Sequence, residues 1–234
     1  MKSLLIFNHN HNNQEIGTYF AYNVANKLSF NNKRVLLLST AVSFENNQFI
    51  EKFEKNKCEI ETISPIKIYN VTNNLSILVI IGNVSNKINI KNILLIKKIL
   101  FKQINIISNQ FDYLVVDLRM KWNDLDSLFL KQVNSNQIIN YYHFIENNND
   151  NFFKKLIQFK KDFGIDLTKS PFFISNFDIK KKECMIFHKN LKQSINNIRL
   201  ILTNDKFDNL IDFSNDNQWT DMSIKLSELV KNIE

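Results

Sequence analysis

The chain has 234 residues, of which 44% are hydrophobic and 12% aromatic, with 20 Phe; that is enough apolar material for one well-buried core and too much for a disordered chain. Its apolar runs, such as 75–81 and 93–96, fall far short of the roughly 20 residues that cross a bilayer, and Cys58 and Cys184 lack any paired metal-ligand or disulfide spacing, which fits a reducing cytoplasm. The net charge of +7 raises nucleic acid as a partner, but the lysines are dispersed among Asn and Ile, as codon bias in an AT-rich genome would write them, so DNA is only a minor expectation.

Taken in chain order, the opening Lys2 to Phe7 turns polar at Asn8 without a small-residue cleavage site, and reads as a first buried strand (3–7) rather than a signal peptide. A loop follows, then an apolar helical period over 16–29 and a continuously apolar strand, Arg34-Val35-Leu36-Leu37-Leu38-Ser39. Further strands are predicted at 76–81, 113–117, 138–144, 172–175 and 199–202, and further helices at 90–107, 125–133, 151–163, 182–195 and 222–233. The cluster Asn147-Asn148-Asn149 reads as the loop that caps the helix after it. Lys180-Lys181-Lys182 is the tight basic run and reads as a solvated helix start.

Strand-length apolar runs alternating with helical stretches predict an α/β fold: a doubly wound, mostly parallel sheet with helices on both faces. No Pro- or Gly-rich linker, composition break or repeat divides the chain, so 1–234 is expected to form a single domain. In such sheets ligands sit beyond the carboxyl ends of the strands, which directs attention to the loops after the first, second and fourth predicted strands.

The first of these loops runs from Asn8 to Gly17-Thr18 and leads into a helix reading Ala21-Tyr22-Asn23-Val24-Ala25-Asn26-Lys27-Leu28. With the strand Lys33-Arg34-Val35-Leu36-Leu37-Leu38 after it, this register resembles the ParA/MinD family of deviant Walker A ATPases, and looks closest to the CpaE/TadZ branch that positions pilus and secretion machinery. Phe111 to Leu118 resembles that family's Walker B strand, Phe173-Ile174-Ser175-Asn176 its base-recognition strand, and 224–233 its closing helix. The resemblance spans nearly the whole chain and implies a P-loop NTPase-like fold. If a nucleotide is retained, it implies Gly17, Thr18, Asp117 and Asn176 as its binding residues, with Thr18 and Asp117 toward Mg²⁺.

The departures carry the functional expectation. The family's loop reads Lys-Gly-Gly-x-Gly-Lys-Thr-Thr, where glycines let backbone amides turn onto phosphate oxygens and lysines neutralise charge. This sequence places Asn12, Asn13, Gln14, Glu15, Ile16, Gly17, Thr18 and Tyr19 there. Both lysines are gone, glycines are replaced by bulkier side chains, and Glu15 adds negative charge; Thr18 keeps the hydroxyl suited to Mg²⁺. The turn after the second strand carries Ser39, Thr40 and Ala41 where the family has an acidic residue. Asp117, without a loop lysine, is expected to cap the turn that follows it, and capping also accounts for Asp124 and Asp126.

Other candidates carry less. His9 and His11 have no third ligand beside them, His143 and His188 lie in apolar contexts, and no Gly-x-Ser-x-Gly elbow occurs. The expectation is therefore a catalytically degenerate, cytoplasmic ParA/MinD-like protein with no cofactor of its own. Its expected partners are proteins of a membrane-associated apparatus and a second copy of itself in a homodimer. It would be recruited to the inner face of the membrane through those partners without inserting. The alternatives are an unconventional ATP/Mg binder or slow ATPase, and a ParA-like non-specific DNA binder.

Overall fold

A computed structural model describes residues 2–8, 14–39, 59–63, 66–80, 98, 101–118, 137–143, 152–166, 172–176, 182, 185–186, 189, 199–203 and 230–231. In chain order the elements are β1 (Lys2–Asn8), α1 (Gln14–Phe30), β2 (Val35–Ser39), β3 (Glu59–Ile63), β4 (Ile66–Thr72), β5 (Leu75–Ile80), α2 (residues 101–108), β6 (Tyr113–Leu118), β7 (Gln137–His143), α3 (Phe152–Phe163), β8 (Phe172–Asn176) and β9 (Arg199–Thr203). Residues 182, 185, 186 and 189 are helical, as are 230 and 231.

All nine strands form one sheet in the order β3-β4-β5-β2-β6-β1-β7-β8-β9. From β5 to β9 every pairing is parallel, while β4 runs antiparallel to both β3 and β5. The fold is thus the expected α/β arrangement with a mostly parallel sheet. Successive side chains on a strand point to opposite faces, yet every residue of β2 and β6 and residues 3–7 of β1 are buried. Both faces of the central strands are therefore covered, which is why Val35-Leu36-Leu37-Leu38 is continuously apolar instead of alternating.

The helix α1 lies along β2, β6 and β1. It buries Phe20, Val24 and Leu28 on one stripe and Ala21 and Ala25 beside them; the alanines allow close approach while the larger residues fill the space. At its end the Asn31 amide donates to the Leu28 carbonyl at 3.3 Å, and Asn32 takes φ 57°. Asn is among the few L-residues that occupy this left-handed region readily, and it stops the helix one turn before β2. The strand starts are tied together: the Asp112 carboxylate accepts from the Arg34 amide at 2.8 Å, and the Arg34 carbonyl accepts from the amides of Asp112 and Tyr113.

All seven parallel strands lie within a residue or two of those predicted from sequence, which predicts no element over 59–72. There the chain forms the hairpin β3-β4 that extends the sheet beyond β5. Its strands, Glu-Ile-Glu-Thr-Ile and Ile-Lys-Ile-Tyr-Asn-Val-Thr, mix polar and apolar residues instead of running continuously apolar like β2, although the consecutive Ile68 and Tyr69 of β4 are both buried. The predicted helix at 16–29 begins earlier, at Gln14. The predicted helix at 125–133 lies outside the described residues.

Candidate functional site

The carboxyl ends of β1, β2, β6, β7 and β8 form one rim. Register fixes which residues share it: on β6, Asp117 stands opposite Ile6 of β1 on one side and Ser39 of β2 on the other. In-register neighbours on parallel strands present side chains to the same face, so Ser39 and Asp117 face the same way. Thr18 reaches this pair from the start of α1. Its hydroxyl donates to Asp117 Oδ2 at 2.7 Å, and the Ser39 hydroxyl donates to the same oxygen at 3.1 Å.

The three residues are sealed from solvent, with Thr18 3%, Ser39 1% and Asp117 0% exposed. Burying a carboxylate is costly unless hydrogen bonds replace its water, and hydrogen bonds to an anion are among the stronger ones available. The arrangement also ties three elements together, since β2, β6 and the head of α1 meet on one oxygen atom.

Of the residues named from sequence, the structure brings Thr18 and Asp117 into direct contact. Gly17 is buried beside Thr18 in the first turns of α1. Asn176 ends β8, in register with His143 of β7 and Thr203 of β9. It lies on the same rim but three strands from Asp117, about 14 Å at ordinary strand spacing. The cap from Asp117 to the following turn would involve residues outside those described, and the bonds seen go to Thr18 and Ser39. From sequence alone Ser39 is an occupant of the turn after the second strand. Its register opposite Asp117 was the missing signal, and register across non-consecutive strands is not written in the local sequence.

His9, His11, His188, Asp124 and Asp126 lie outside the described residues. Among the described residues no cluster of three or more His, Cys, Asp or Glu stands ready to hold a metal. Nor is any helix there long and apolar enough to cross a membrane.

A hydroxyl and a carboxylate in contact are the oxygen donors that suit Mg²⁺, which takes one or two carboxylates with phosphates and water completing its shell. Thr18 and Asp117 therefore fit the metal end of a Mg-nucleotide. The phosphate end fits less well: residues 8–18 contain no Lys or Arg and do contain Glu15. Within residues 8–18 there is no side-chain cation to meet the charge that moves in phosphoryl transfer.

The architecture and the position of this rim define a class of fold, that of the ParA/MinD ATPases. The chain is similar to a ParA family ATPase from Chlorobium tepidum TLS, at 11% identity over 98% of each chain with a TM-score of 0.56. It is also similar to a putative plasmid partition protein from Borrelia burgdorferi B31 bound to AMPPNP, at 19% identity over 99% of this chain and 100% of that one, with a TM-score of 0.56. A MinC:MinD cell division complex from Aquifex aeolicus matches 82% of this chain and 78% of that one, at 11% identity and a TM-score of 0.50. At such identities the likeness establishes fold. No family model matches the sequence, and no curated protein matches it.

Proposed function

We propose that this protein is a catalytically degenerate member of the ParA/MinD group, of the CpaE/TadZ type, acting as a protein-binding positioning or assembly factor for a membrane-associated machine. The observation that carries the reading is the stretch 8–18, which bridges β1 and α1 at the rim without a lysine, an arginine or more than one glycine. A phosphate cradle works through inward-facing amides and a cation, and the charge stabilisation they give is commonly the largest single contribution to phosphoryl transfer. With the fold kept and that contribution missing, helix faces and the sheet rim remain as binding surfaces. The experiment is a steady-state ATPase assay with Mg²⁺, expected to give no turnover above background. Turnover abolished by Asp117→Ala would overturn the reading.

A second reading is favoured by one specific contact. The Thr18–Asp117 pair is the oxygen set a magnesium nucleotide would need, and a similarly folded plasmid partition protein is described bound to AMPPNP. On that reading the protein binds ATP/Mg through Thr18, Asp117 and Asn176, with a partner supplying the missing cation. Thermal melts with and without Mg-ATP separate the two: a ligand-dependent rise favours binding without turnover, and its absence favours the protein-binding factor. The partitioning alternative would require affinity for non-specific duplex DNA, read by titration at low and moderate salt.

A further inference from the structure

Two helices of this chain carry the same surface pattern. On α3, Ile157 is 68% exposed and has Lys154 three residues before it and Lys161 four residues after, both exposed. After β8, residues 182, 185, 186 and 189 are helical; Met185 and Ile186 are 57% and 51% exposed, with Lys182 three residues before Met185 and Lys189 three residues after Ile186, both exposed. Positions i, i+3, i+4 and i+7 share one helix face. On α3 this sets Ile157 between lysines about 10 Å apart, and the described helical positions 182, 185, 186 and 189 have matching spacing. Three of the six large hydrophobic residues exposed among the described residues belong to these two faces.

The topology places the faces side by side. Strands β7, β8 and β9 are parallel neighbours in that order, so α3 and the next helix each lie in a crossover that steps one strand in the same direction. Crossovers share one hand almost without exception, and two that step the same way lie on one face of the sheet. The inner side of α3 is anchored by Phe159, buried against Phe7 of β1 with ring centroids 4.5 Å apart. Its outer side is the basic-aliphatic face. Lys160 is engaged by Asp166 at 2.8 Å, and Asp162 accepts from Gln158 at 2.7 Å; the stripe Lys154–Ile157–Lys161 runs beside these pairs.

We propose that this two-helix face docks an acidic amphipathic helix of a protein partner, whose aliphatic residues cover Ile157, Met185 and Ile186 while its carboxylates meet Lys154, Lys161, Lys182 and Lys189. Charge complementarity with a chain of net charge +7 steers the encounter. The aliphatic centre selects against duplex DNA, whose phosphates gain nothing from Met and Ile. Helix-in-groove recognition uses anchors at this spacing, and Met is enriched at such surfaces. The inference rests on the protein-binding reading above.

The test uses the full chain and a synthetic peptide of about five helical turns, built from Glu, Ala and Leu with the leucines on one stripe. The controls are a shuffled peptide of the same composition, a DNA duplex and vesicles containing anionic lipid. Binding is read by fluorescence anisotropy. The amphipathic peptide is expected to bind more tightly than the shuffled one. The set Lys154→Glu, Lys161→Glu, Lys182→Glu and Lys189→Glu, and separately Ile157→Ser, Met185→Ser and Ile186→Ser, should each weaken it by about tenfold or more with the circular dichroism spectrum unchanged. Equal binding of the two peptides, indifference to both variant sets, or tighter binding of duplex or vesicles lost in the same variants would overturn the proposal. ATP turnover measured on the same protein tests the non-hydrolysing reading separately, since turnover would remove that reading and leave the peptide result standing.

Discussion

At the scale of the residue, one oxygen atom organises the rim. Asp117 Oδ2 accepts from Thr18 and from Ser39, all three residues being buried, so removing either hydroxyl leaves a buried carboxylate with one donor fewer. The cost of such a loss is about 1–3 kcal/mol. Thr18→Val, which keeps the shape and removes the hydroxyl, and Ser39→Ala are each expected to lower stability by an amount in that range, measured by urea unfolding. Because both act on the same acceptor, their effects should not add, and the double variant should depart from the sum by about 0.5 kcal/mol or more. Strict additivity would show that the two hydroxyls act independently of Asp117. The positions of Thr18 at the start of α1 and Asp117 near the end of β6 were legible in the sequence, because each belongs to a recognisable strand–loop–helix or strand signal. Ser39 was not, since its role comes from the pairing of β2 with β6, two strands separated by 73 residues of chain between Ser39 and Tyr113.

At the scale of the element, helix ends and helix faces set the architecture. Gly164 takes φ 71° directly after α3, and its amide donates to the Lys160 carbonyl at 2.8 Å, closing the last turn. A Cβ there would meet no atom within 4 Å, so Gly164→Ala carries only the backbone cost of a left-handed L-residue, about 1–2 kcal/mol. A melting temperature unchanged by that substitution would contradict this account of the cap. Inside the same helix, Phe159 is fully buried between Phe7 and Phe163; Phe159→Ala is expected to cost about 3–5 kcal/mol, visible as a lowered urea midpoint. The parallel strands were legible because burial on both faces makes them continuously apolar, a signal that needs no knowledge of neighbours. The hairpin β3-β4 was not. Its mixture of polar and apolar residues over five to seven positions is short, and a weaker strand signal than a continuous apolar run.

At the scale of the whole molecule, the ParA/MinD-like fold and the chemistry of residues 8–18 point in different directions, and a single variant set weighs them. Gln14→Gly with Ile16→Gly and Gly17→Lys returns glycines and one ammonium to the stretch that leads into α1. If the protein works by holding a triphosphate, new amide contacts and the added charge should raise affinity for Mg-ATP. The structure gives the opposite expectation for stability. Helix α1 already begins at Gln14, so two glycines enter its start while Gly17→Lys removes one, a net cost of about 1 kcal/mol. Gly17 is buried, so a lysine there must either be desolvated or push the turn outward, at a further cost. The triple variant should therefore melt below the wild type, and neither should gain stability from Mg-ATP. Ligand binding to the native state alone stabilises it by about 2.7 kcal/mol at a hundredfold excess over the dissociation constant, a shift that a thermal melt resolves. A Mg-ATP-dependent rise for the wild type would establish a working nucleotide site. A rise confined to the triple variant would show that the loop alone separates this chain from a nucleotide binder, the rest of the cradle having been kept intact around Thr18 and Asp117.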